Sequence, residues 1–201
     1  MFQFQTLLLL FVGWWCSNHV LLAVDAAEAA AIYTKDALFT AVQDDDPTGI
    51  GQAIDDGADI NQIGTGGQTP LVHAVLTGKL NAGKTLLTLG ADTSLAEKDG
   101  YNVMHAAGFQ GRAEILKTLL NHGEGLAPLM TKHSDGYYPL HRACWGREER
   151  HAETVKVFIE EGGVDYNFKS QHGNGCLDMT HNPATKEVLM EAHRKSQAEE
   201  L

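Results

Sequence analysis

The pattern of apolar and polar positions in residues 67–74 predicts a helix with a defined start. Pro70 fits the first turn of a helix, where its missing N–H would have had no partner. The hydroxyl of Thr69, just before it, is suited to cap that turn. Leu71 and Ala74, three residues apart, then begin an apolar stripe on one helical face. We therefore predict that a buried helix begins at this point.

The same pattern recurs along the chain at a nearly constant interval. Counted at the position of Thr69, the copies stand at Asp36, Thr69, Asn102, Tyr138 and Gly175, with steps of 33, 33, 36 and 37 residues. The first four copies are each followed by a second apolar segment ending in glycine, which suits the left-handed residue after a helix. These segments are Ile50–Gly57, Leu86–Gly90, Ile115–Gly123 and Val155–Gly163. The recurrence predicts about five units of two helices each.

This period and its residues resemble the ankyrin-repeat family, whose motif reads Thr-Pro-Leu-His-x-Ala. Residues 69–74 match the motif with Val72 in the place of the histidine, and His105 and His141 hold that place in the next two copies. The resemblance covers residues 33–193. It implies an all-α solenoid of about five helix-turn-helix units with β-turn or hairpin fingers. It also implies that the motif histidines hydrogen-bond between adjacent turns and do not catalyse a reaction.

Insertions and chain ends are expected to lie outside the packed helices, since a repeat cannot absorb extra residues there without losing its neighbours. We expect three added residues in 124–132 and most of another four in 146–150. The fifth copy departs furthest from the motif, as a terminal capping repeat does. Residues 26–32 are predicted as a short linker or cap helix, and residues 194–201 as a polar tail.

Residues 1–25 stand apart from the repeats, since no charged side chain occurs in the first 24 positions. Two apolar runs, at 7–12 and 20–24, fit a secretory signal peptide, whose cleavage would leave no stable membrane insertion. The alternatives are a membrane anchor formed by residues 6–24 or a buried N-terminal helix. Polar residues at 17–19 interrupt the apolar run and weaken the anchor.

The last four residues, Ala198-Glu199-Glu200-Leu201, resemble a degenerate Lys-Asp-Glu-Leu retrieval signal. Together with the N-terminal pattern, they predict the secretory pathway, and within it the lumen of the endoplasmic reticulum. Three cysteines are too few and too scattered for a disulfide framework. Cys144 and Cys176 could pair in an oxidising compartment, but both hold core-like repeat positions, which favours buried free thiols.

The composition narrows the classes of partner. A hydrophobic content of 43% is enough for a core, and a net charge of −11 argues against nucleic acid, which requires a concentrated positive face. The acidic runs 44–46 and 55–56 suggest an alternative function, a low-affinity cation-binding or buffering protein of the secretory pathway. They lack the spacing of a dedicated calcium loop, and residues 44–46 more simply cap the helix that begins near Pro47.

Candidate chemistry is sparse in this sequence. No nucleophile elbow, phosphate-binding glycine loop or metalloprotease motif is present, so we predict a protein that is not an enzyme and has no cofactor. The best metal constellation is His141 and Cys144, three residues apart, with His133 and His151 near them in sequence. We predict no metal there, because the motif histidine points to the neighbouring turn and Cys144 to the core.

The sharpest functional prediction is a partner-binding surface. The resemblance implies that partners contact the residue before the Thr69-like position and the exposed end of the first helix. The predicted contact residues are Gln68, Leu76, Lys98, Tyr101, Phe109, Gln110, His133, Tyr137, Trp145 and Arg147. Aromatic side chains with polar neighbours have the composition of interface hot spots. The alternative is that Phe109 and Trp145 complete the core between repeats. We predict a monomeric, non-catalytic scaffold that binds another protein.

Overall fold

The computed structural model describes residues 26–122 and 127–199. The predicted signal peptide or anchor, and the last two residues of the predicted retrieval signal, lie outside these ranges. The chain divides into two compact units, residues 1–33 and 34–201. Within the described ranges, no helix combines the length and apolar character needed to cross a membrane.

The described residues form ten α-helices and one short 3₁₀ turn. They are α1 (Ala26–Gln43), α2 (Pro47–Asp55), α3 (Pro70–Thr77), α4 (Leu80–Thr88), α5 (Val103–Gln110), α6 (Ala113–Asn121), the 3₁₀ turn (Ala127–Met130), α7 (Pro139–Cys144), α8 (Glu149–Glu160), α9 (Cys176–Met179) and α10 (Pro183–Glu199). Contacts between repeats run in two rows, α3-α5-α7-α9 for the first helices and α2-α4-α6-α8-α10 for the second. Two rows of this kind make up a helical solenoid.

Local sequence explains where the first helices begin. The hydroxyl of Thr69 accepts a hydrogen bond from the Val72 amide at 3.2 Å, which caps α3 as predicted. The side-chain oxygen of Asn102 accepts two amide hydrogen bonds, from Met104 and His105, each at 3.1 Å. These caps satisfy amides that have no partner within the helix.

Asp45 occupies the turn position that glycine holds in the next two repeats. Its φ of 55° is left-handed, a conformation that aspartate tolerates better than most residues. Its carboxylate accepts hydrogen bonds from the Ala82 amide at 2.7 Å and the Asn81 side chain at 2.9 Å. Asp46 accepts one from the Thr48 amide at 3.0 Å. The acidic run therefore caps α2, as predicted, and also α4 in the following repeat.

The fingers between repeats are closed turns, and the described residues contain no β-strand beyond an isolated bridge between Ala96 and Asn102. Each finger is closed by the same hydrogen bond, from the amide of its first residue to the carbonyl of its fifth. These bonds are Gly64 to Gln68 at 2.9 Å, Glu97 to Tyr101 at 2.8 Å, His133 to Tyr137 at 2.9 Å and Ser170 to Asn174 at 2.9 Å. The fourth residue is always a glycine with positive φ, namely Gly67, Gly100, Gly136 and Gly173. Glycine is required because other residues adopt this conformation at a cost.

Both ends of the array are more helical than the sequence analysis anticipated. A single helix, α1, covers the residues predicted as a separate linker helix and continues into the first repeat. Residues 194–199 of the predicted polar tail continue α10. The capping repeat itself combines a first helix of four residues, α9, with this long second helix.

The expectation of buried free thiols is wrong, because Cys144 and Cys176 form a disulfide. Both residues are fully buried, as expected from their core-like positions, and their Cα atoms lie 5.4 Å apart. Cys144 ends α7 and Cys176 begins α9, and these two helices pack against each other. The cysteines hold different places within their own repeats, so their juxtaposition arises only from the stacking of one repeat on the next.

Candidate partner-binding surface

Two of the predicted aromatic contacts are exposed at the ends of adjacent first helices. Phe109 lies in the last turn of α5 and is 53% exposed, and Trp145 follows α7 directly and is 37% exposed. Neither belongs to the buried core or to the side chains packed against it. This excludes the alternative that the two rings complete the core between repeats.

A glycine brings the two helices together beside these rings. A Cβ atom at Gly108 would lie 2.4 Å from the Pro139 carbonyl oxygen and 3.2 Å from the Ala143 amide nitrogen. Contacts that short are not tolerated, so only glycine permits this approach of α5 to α7. Phe109 is therefore held, through its backbone, next to the helix that ends before Trp145.

Trp145 is fixed by contacts on two sides. Its ring packs edge-on against Tyr137, with the ring centres 4.7 Å apart. The guanidinium of Arg142 lies 4.8 Å from the centre of the same ring, a distance typical of a cation–π interaction. Arg142 in turn donates a hydrogen bond to the Asp135 carboxylate at 2.7 Å. An exposed aromatic ring is thus held in one position before any partner binds.

A polar network extends from this cluster to the neighbouring finger. His133 Nε2 lies 3.0 Å from a carboxylate oxygen of Asp99, and His133 Nδ1 lies 2.7 Å from one of Asp135. The Ser134 amide also donates to the Asp99 carbonyl oxygen at 2.7 Å. With a side chain only 15% exposed, His133 mainly joins two fingers and contributes less of the outer surface than predicted.

Electrostatics favour the charged form of His133. Burial lowers the pKa of His133, but the hydrogen bonds to Asp135 and Asp99 outweigh burial and raise it above its ordinary value. The hydrogen bond from His133 in turn lowers the pKa of Asp99. In its protonated form, the His133 ring and the two carboxylates stabilise one another across the boundary between the second and third fingers.

The two motif histidines, unlike His133, have lowered pKa values. His105 is fully buried, and burial, reinforced by the Arg142 charge and opposed by the backbone of Tyr137, lowers its pKa to about 4. Its Nδ1 accepts a hydrogen bond from the Asn102 amide at 3.3 Å. Burial also lowers the pKa of His141. Both rings are neutral near pH 7 and lie buried in the scaffold.

The structure does not assemble the four residues of the metal constellation. Cys144 is bonded to Cys176, His133 is held by two carboxylates, and the Nε2 of His151 lies 3.2 Å from the Phe109 carbonyl oxygen. No three histidine, cysteine or acidic side chains in the described part of the chain are placed to share a metal ion.

The other predicted contact residues differ in exposure. Lys98 and Arg147 are exposed, and Gln110 is half-buried. Leu76 is partly buried against the core, so its side chain supports the helix more than it faces outward. Gln68 lines a separate groove beside the first repeat.

Sequence reasoning missed two residues that shape the surface. Arg142 lies directly after the motif histidine, where repeats vary, and nothing in its sequence neighbourhood predicts its stacking on Trp145. The His172 ring lies 5.2 Å from that of Tyr137, and its Nε2 lies 2.8 Å from the Asp135 carbonyl oxygen. The signal that could have predicted this contact is the equivalent pair in the preceding fingers, His133 and Tyr101, whose ring centres are 6.1 Å apart. In both cases a finger histidine packs against the tyrosine of the preceding finger.

Comparisons with known proteins agree with this architecture. A family model for ankyrin repeats in three copies matches residues 38–126 and 86–170. The chain is 41% identical over 61 residues to Notch-regulated ankyrin repeat-containing protein B of Danio rerio, which covers 30% of this chain and 55% of that protein. The Homo sapiens protein of that kind is 39% identical over 61 residues, 30% of this chain and 54% of its own length.

A longer but weaker match is the nuclear factor NF-kappa-B p105 subunit of Gallus gallus, 30% identical over 104 residues, which is 52% of this chain and 10% of that protein. The chain spans about half the length of the Notch-regulated relatives that it matches. The matched residues include both rows of helices and the fingers between them. On the family match and the repeated helix pairs together, the chain belongs to the ankyrin-repeat family.

Proposed function

We propose that this protein binds another protein, without catalysis, through the aromatic surface formed by Phe109, Tyr137 and Trp145. Tyr101, also predicted to contact a partner, is half-buried against the core. Ankyrin repeats generally mediate protein–protein interaction, and the exposed rings support this surface as the contact site. The observation that carries the proposal is that Phe109 and Trp145 are exposed at 53% and 37%, while Tyr137 and Arg142 hold the Trp145 ring and the backbone of Phe109 lies close to α7.

Rigidity is what makes this surface suited to binding. Exposed aromatic rings bury a large apolar area on association, and hot spots are enriched in tryptophan, tyrosine and arginine. Trp145 is already packed by Tyr137 and Arg142, so little side-chain freedom remains to be lost when a partner binds. Exposed charges at Lys98 and Arg147 supply a polar rim.

The test compares two double variants that each remove two exposed apolar side chains. Phe109→Ala with Trp145→Ala removes the aromatic surface, and Leu89→Ala with Met190→Ala removes two apolar side chains that are 45% and 50% exposed elsewhere. Proteins captured by wild type are quantified by mass spectrometry, and the affinity of the enriched partner is then measured by calorimetry. We expect the aromatic variant to lose at least about 30-fold in affinity, at roughly 2 kcal/mol for one hot spot.

Circular dichroism and thermal unfolding establish that both variants are folded. Equal binding by the two double variants would contradict the proposed surface. The acidic cation-binding alternative gains no support, since Asp45 and Asp46 are engaged in capping helices.

We propose further that the chain folds in an oxidising compartment of the secretory pathway. Two observations support this: the disulfide between Cys144 and Cys176, and the signal-like pattern of residues 1–25. Disulfides persist in such compartments and are rare in the cytosol. The test expresses the full chain in eukaryotic cells, blocks free thiols before lysis, and looks for the linked Cys144 and Cys176 peptides. Recovery of both as blocked free thiols, or a cytosolic location of a reporter fused to residues 1–30, would contradict it.

A further inference from the structure

A groove of about 730 Å³ opens beside the first repeat, apart from the aromatic surface. Its walls are one face of α1 and the first finger, with the side chain of His73 from α3 between them. The residues that line it include Asp36, Phe39, Asp44, Gly64, Gln68 and His73.

Aromatic packing and a glycine shape this groove. The Phe39 ring packs edge-on against His73, with the ring centres 5.7 Å apart and the planes at 77°. A Cβ atom at Gly64 would lie 2.7 Å from the tip of the Phe39 ring. Any side chain at Gly64 would therefore push the ring, so the glycine maintains the present width of the groove.

The charges in the groove are mainly acidic. Asp36 and Asp44 are exposed, and neither forms an ion pair with any residue of the described part of the chain. Lys35 is the lining residue of opposite charge. Burial, together with the charge of Lys79, lowers the pKa of His73, so this ring is neutral near pH 7 and does not repel a cation. Unpaired carboxylates beside an aromatic ring suit a bound ammonium or guanidinium group.

The spacing of the two carboxylates suggests the form of the occupant. Asp36 lies in α1 and Asp44 directly follows its last residue, eight positions later, and the Asp44 amide still bonds to the Thr40 carbonyl oxygen at 2.9 Å, as in a helix. At a helical rise of 1.5 Å per residue, they are about 12 Å apart along the axis. An extended peptide covers about 13 Å between residues i and i+4, whose side chains share one face.

We propose that the groove binds an extended basic segment of the partner protein, with lysine or arginine side chains four residues apart that pair with Asp36 and Asp44. The apolar stem or guanidinium plane of the segment lies on Phe39. The net charge of −11 attracts such a segment over distance. This inference rests on the proposed binding function and adds the chemistry of a second contact site.

The probe is an acetylated and amidated peptide, Arg-Ser-Gly-Ser-Arg, titrated into the full chain by calorimetry and followed by NMR at the rings of Phe39 and His73. The analogue with citrulline in place of both arginines keeps the shape and lacks the charge. We expect saturable binding of the arginine peptide, shifts at both rings, weakening with added salt, and at least about tenfold weaker binding of the analogue.

Matched variants locate the binding. Asp36→Asn with Asp44→Asn should weaken binding about tenfold or more, whereas Asp55→Asn with Asp56→Asn, which removes equal charge at exposed positions outside the groove, should change it less than about twofold. Gly64→Ala moves the Phe39 ring and should also weaken binding, with thermal unfolding and ring spectra reporting that the variant is folded.

Equal weakening by the two aspartate pairs, equal binding of the citrulline peptide, or no saturable binding at millimolar peptide would overturn the inference. The aromatic variant, Phe109→Ala with Trp145→Ala, should keep its affinity for the peptide. If the peptide fails to bind while the aromatic variant still loses the partner, the groove proposal alone is wrong. If the peptide binds and the aromatic variant keeps the partner, the proposed aromatic surface is wrong.

Discussion

The central repeats and the capping repeat use one repeat position in opposite ways. Seven residues after the Thr69-like position, the third and fourth repeats expose Phe109 and Trp145, whereas the fifth buries Asn182. The side-chain amide of Asn182 donates hydrogen bonds to the carbonyl oxygens of Gly146 at 3.3 Å and Glu148 at 2.9 Å. This repeat position is therefore exposed for binding in the central repeats, whereas in the fifth repeat it bonds to the loop of the preceding repeat.

This difference follows from the lengths of the helices. The first helix of the fifth repeat, α9, has only four residues, so its continuation turns back toward the loop that follows Trp145. Substitutions at the end of the array should therefore affect stability, and substitutions on the exposed central rings should affect binding.

The largest effect is expected from the disulfide that joins the two regions. Replacing Cys144 and Cys176 by alanine opens a loop closed over a separation of 32 residues, and should lower the free energy of unfolding by roughly 3–4 kcal/mol. Urea unfolding of oxidised wild type, reduced wild type and the double variant measures this loss. If the three unfold at the same urea concentration, the disulfide does not stabilise the capping repeat.

The next effect concerns the approach of α5 to α7. Gly108→Ala places a methyl group against the Pro139 carbonyl and should destabilise the protein by roughly 1–3 kcal/mol. Gly83→Ala in α4 is the control, because no atom lies within 4 Å of its added Cβ, and it should stabilise by about 0.5–1 kcal/mol. Thermal unfolding of both variants tests the sign of each change. A neutral Gly108→Ala would show that the helices separate without cost.

A smaller loss should follow from Asn182→Ala. The substitution removes two hydrogen bonds to loop carbonyls and the one that the side-chain oxygen accepts from the Ala184 amide, and should lower the free energy of unfolding by about 1–2 kcal/mol. Denaturant unfolding measures this loss, and amide hydrogen exchange should show faster exchange confined to the fourth and fifth repeats. Unchanged exchange in residues 146–150 would contradict the closing role of Asn182.

The smallest effect should be a dependence of the free energy of unfolding on pH, caused by His133 in the central repeats. Since the pKa of His133 is raised by folding, its contribution is complete below the unfolded value of about 6.5 and is lost as pH rises through the folded pKa. The loss should be roughly 0.5–1 kcal/mol, as for partly exposed ion pairs. Melting temperatures between pH 5.5 and 8.5 should fall more for wild type than for His133→Gln. Parallel profiles would show that His133 does not link the fingers electrostatically.

Sequence alone predicted the register and the helix starts, because these depend on local chemistry. Thr69 before Pro70 is recognisable as a cap, and Phe109 and Trp145 follow from counting along the repeat. The disulfide, the stacking of Arg142 and the groove were not predicted. Each depends on which side chains of different repeats meet, and the motif leaves those side chains free to vary.

The helical course of residues 194–199 was also missed, for a different reason. Their polar composition is typical of a tail, but ion pairs of Lys195 with Glu191 at 3.0 Å and Glu160 at 2.8 Å join this segment to itself and to α8. Polarity therefore indicated exposure at the end of α10 and did not indicate the absence of a helix.

Because the fingers share one backbone turn, their residues could be exchanged between repeats by protein engineering. Four loops of five residues share one closing hydrogen bond and one left-handed glycine, and only the second and third also share the sequence Asp-Gly-Tyr. Residues 98–101 could replace residues 65–68 while Gly64 stays beside the Phe39 ring, and this exchange would bring a tyrosine to the first finger. The recognition properties of this solenoid can therefore be rearranged along its length while its helices are left untouched.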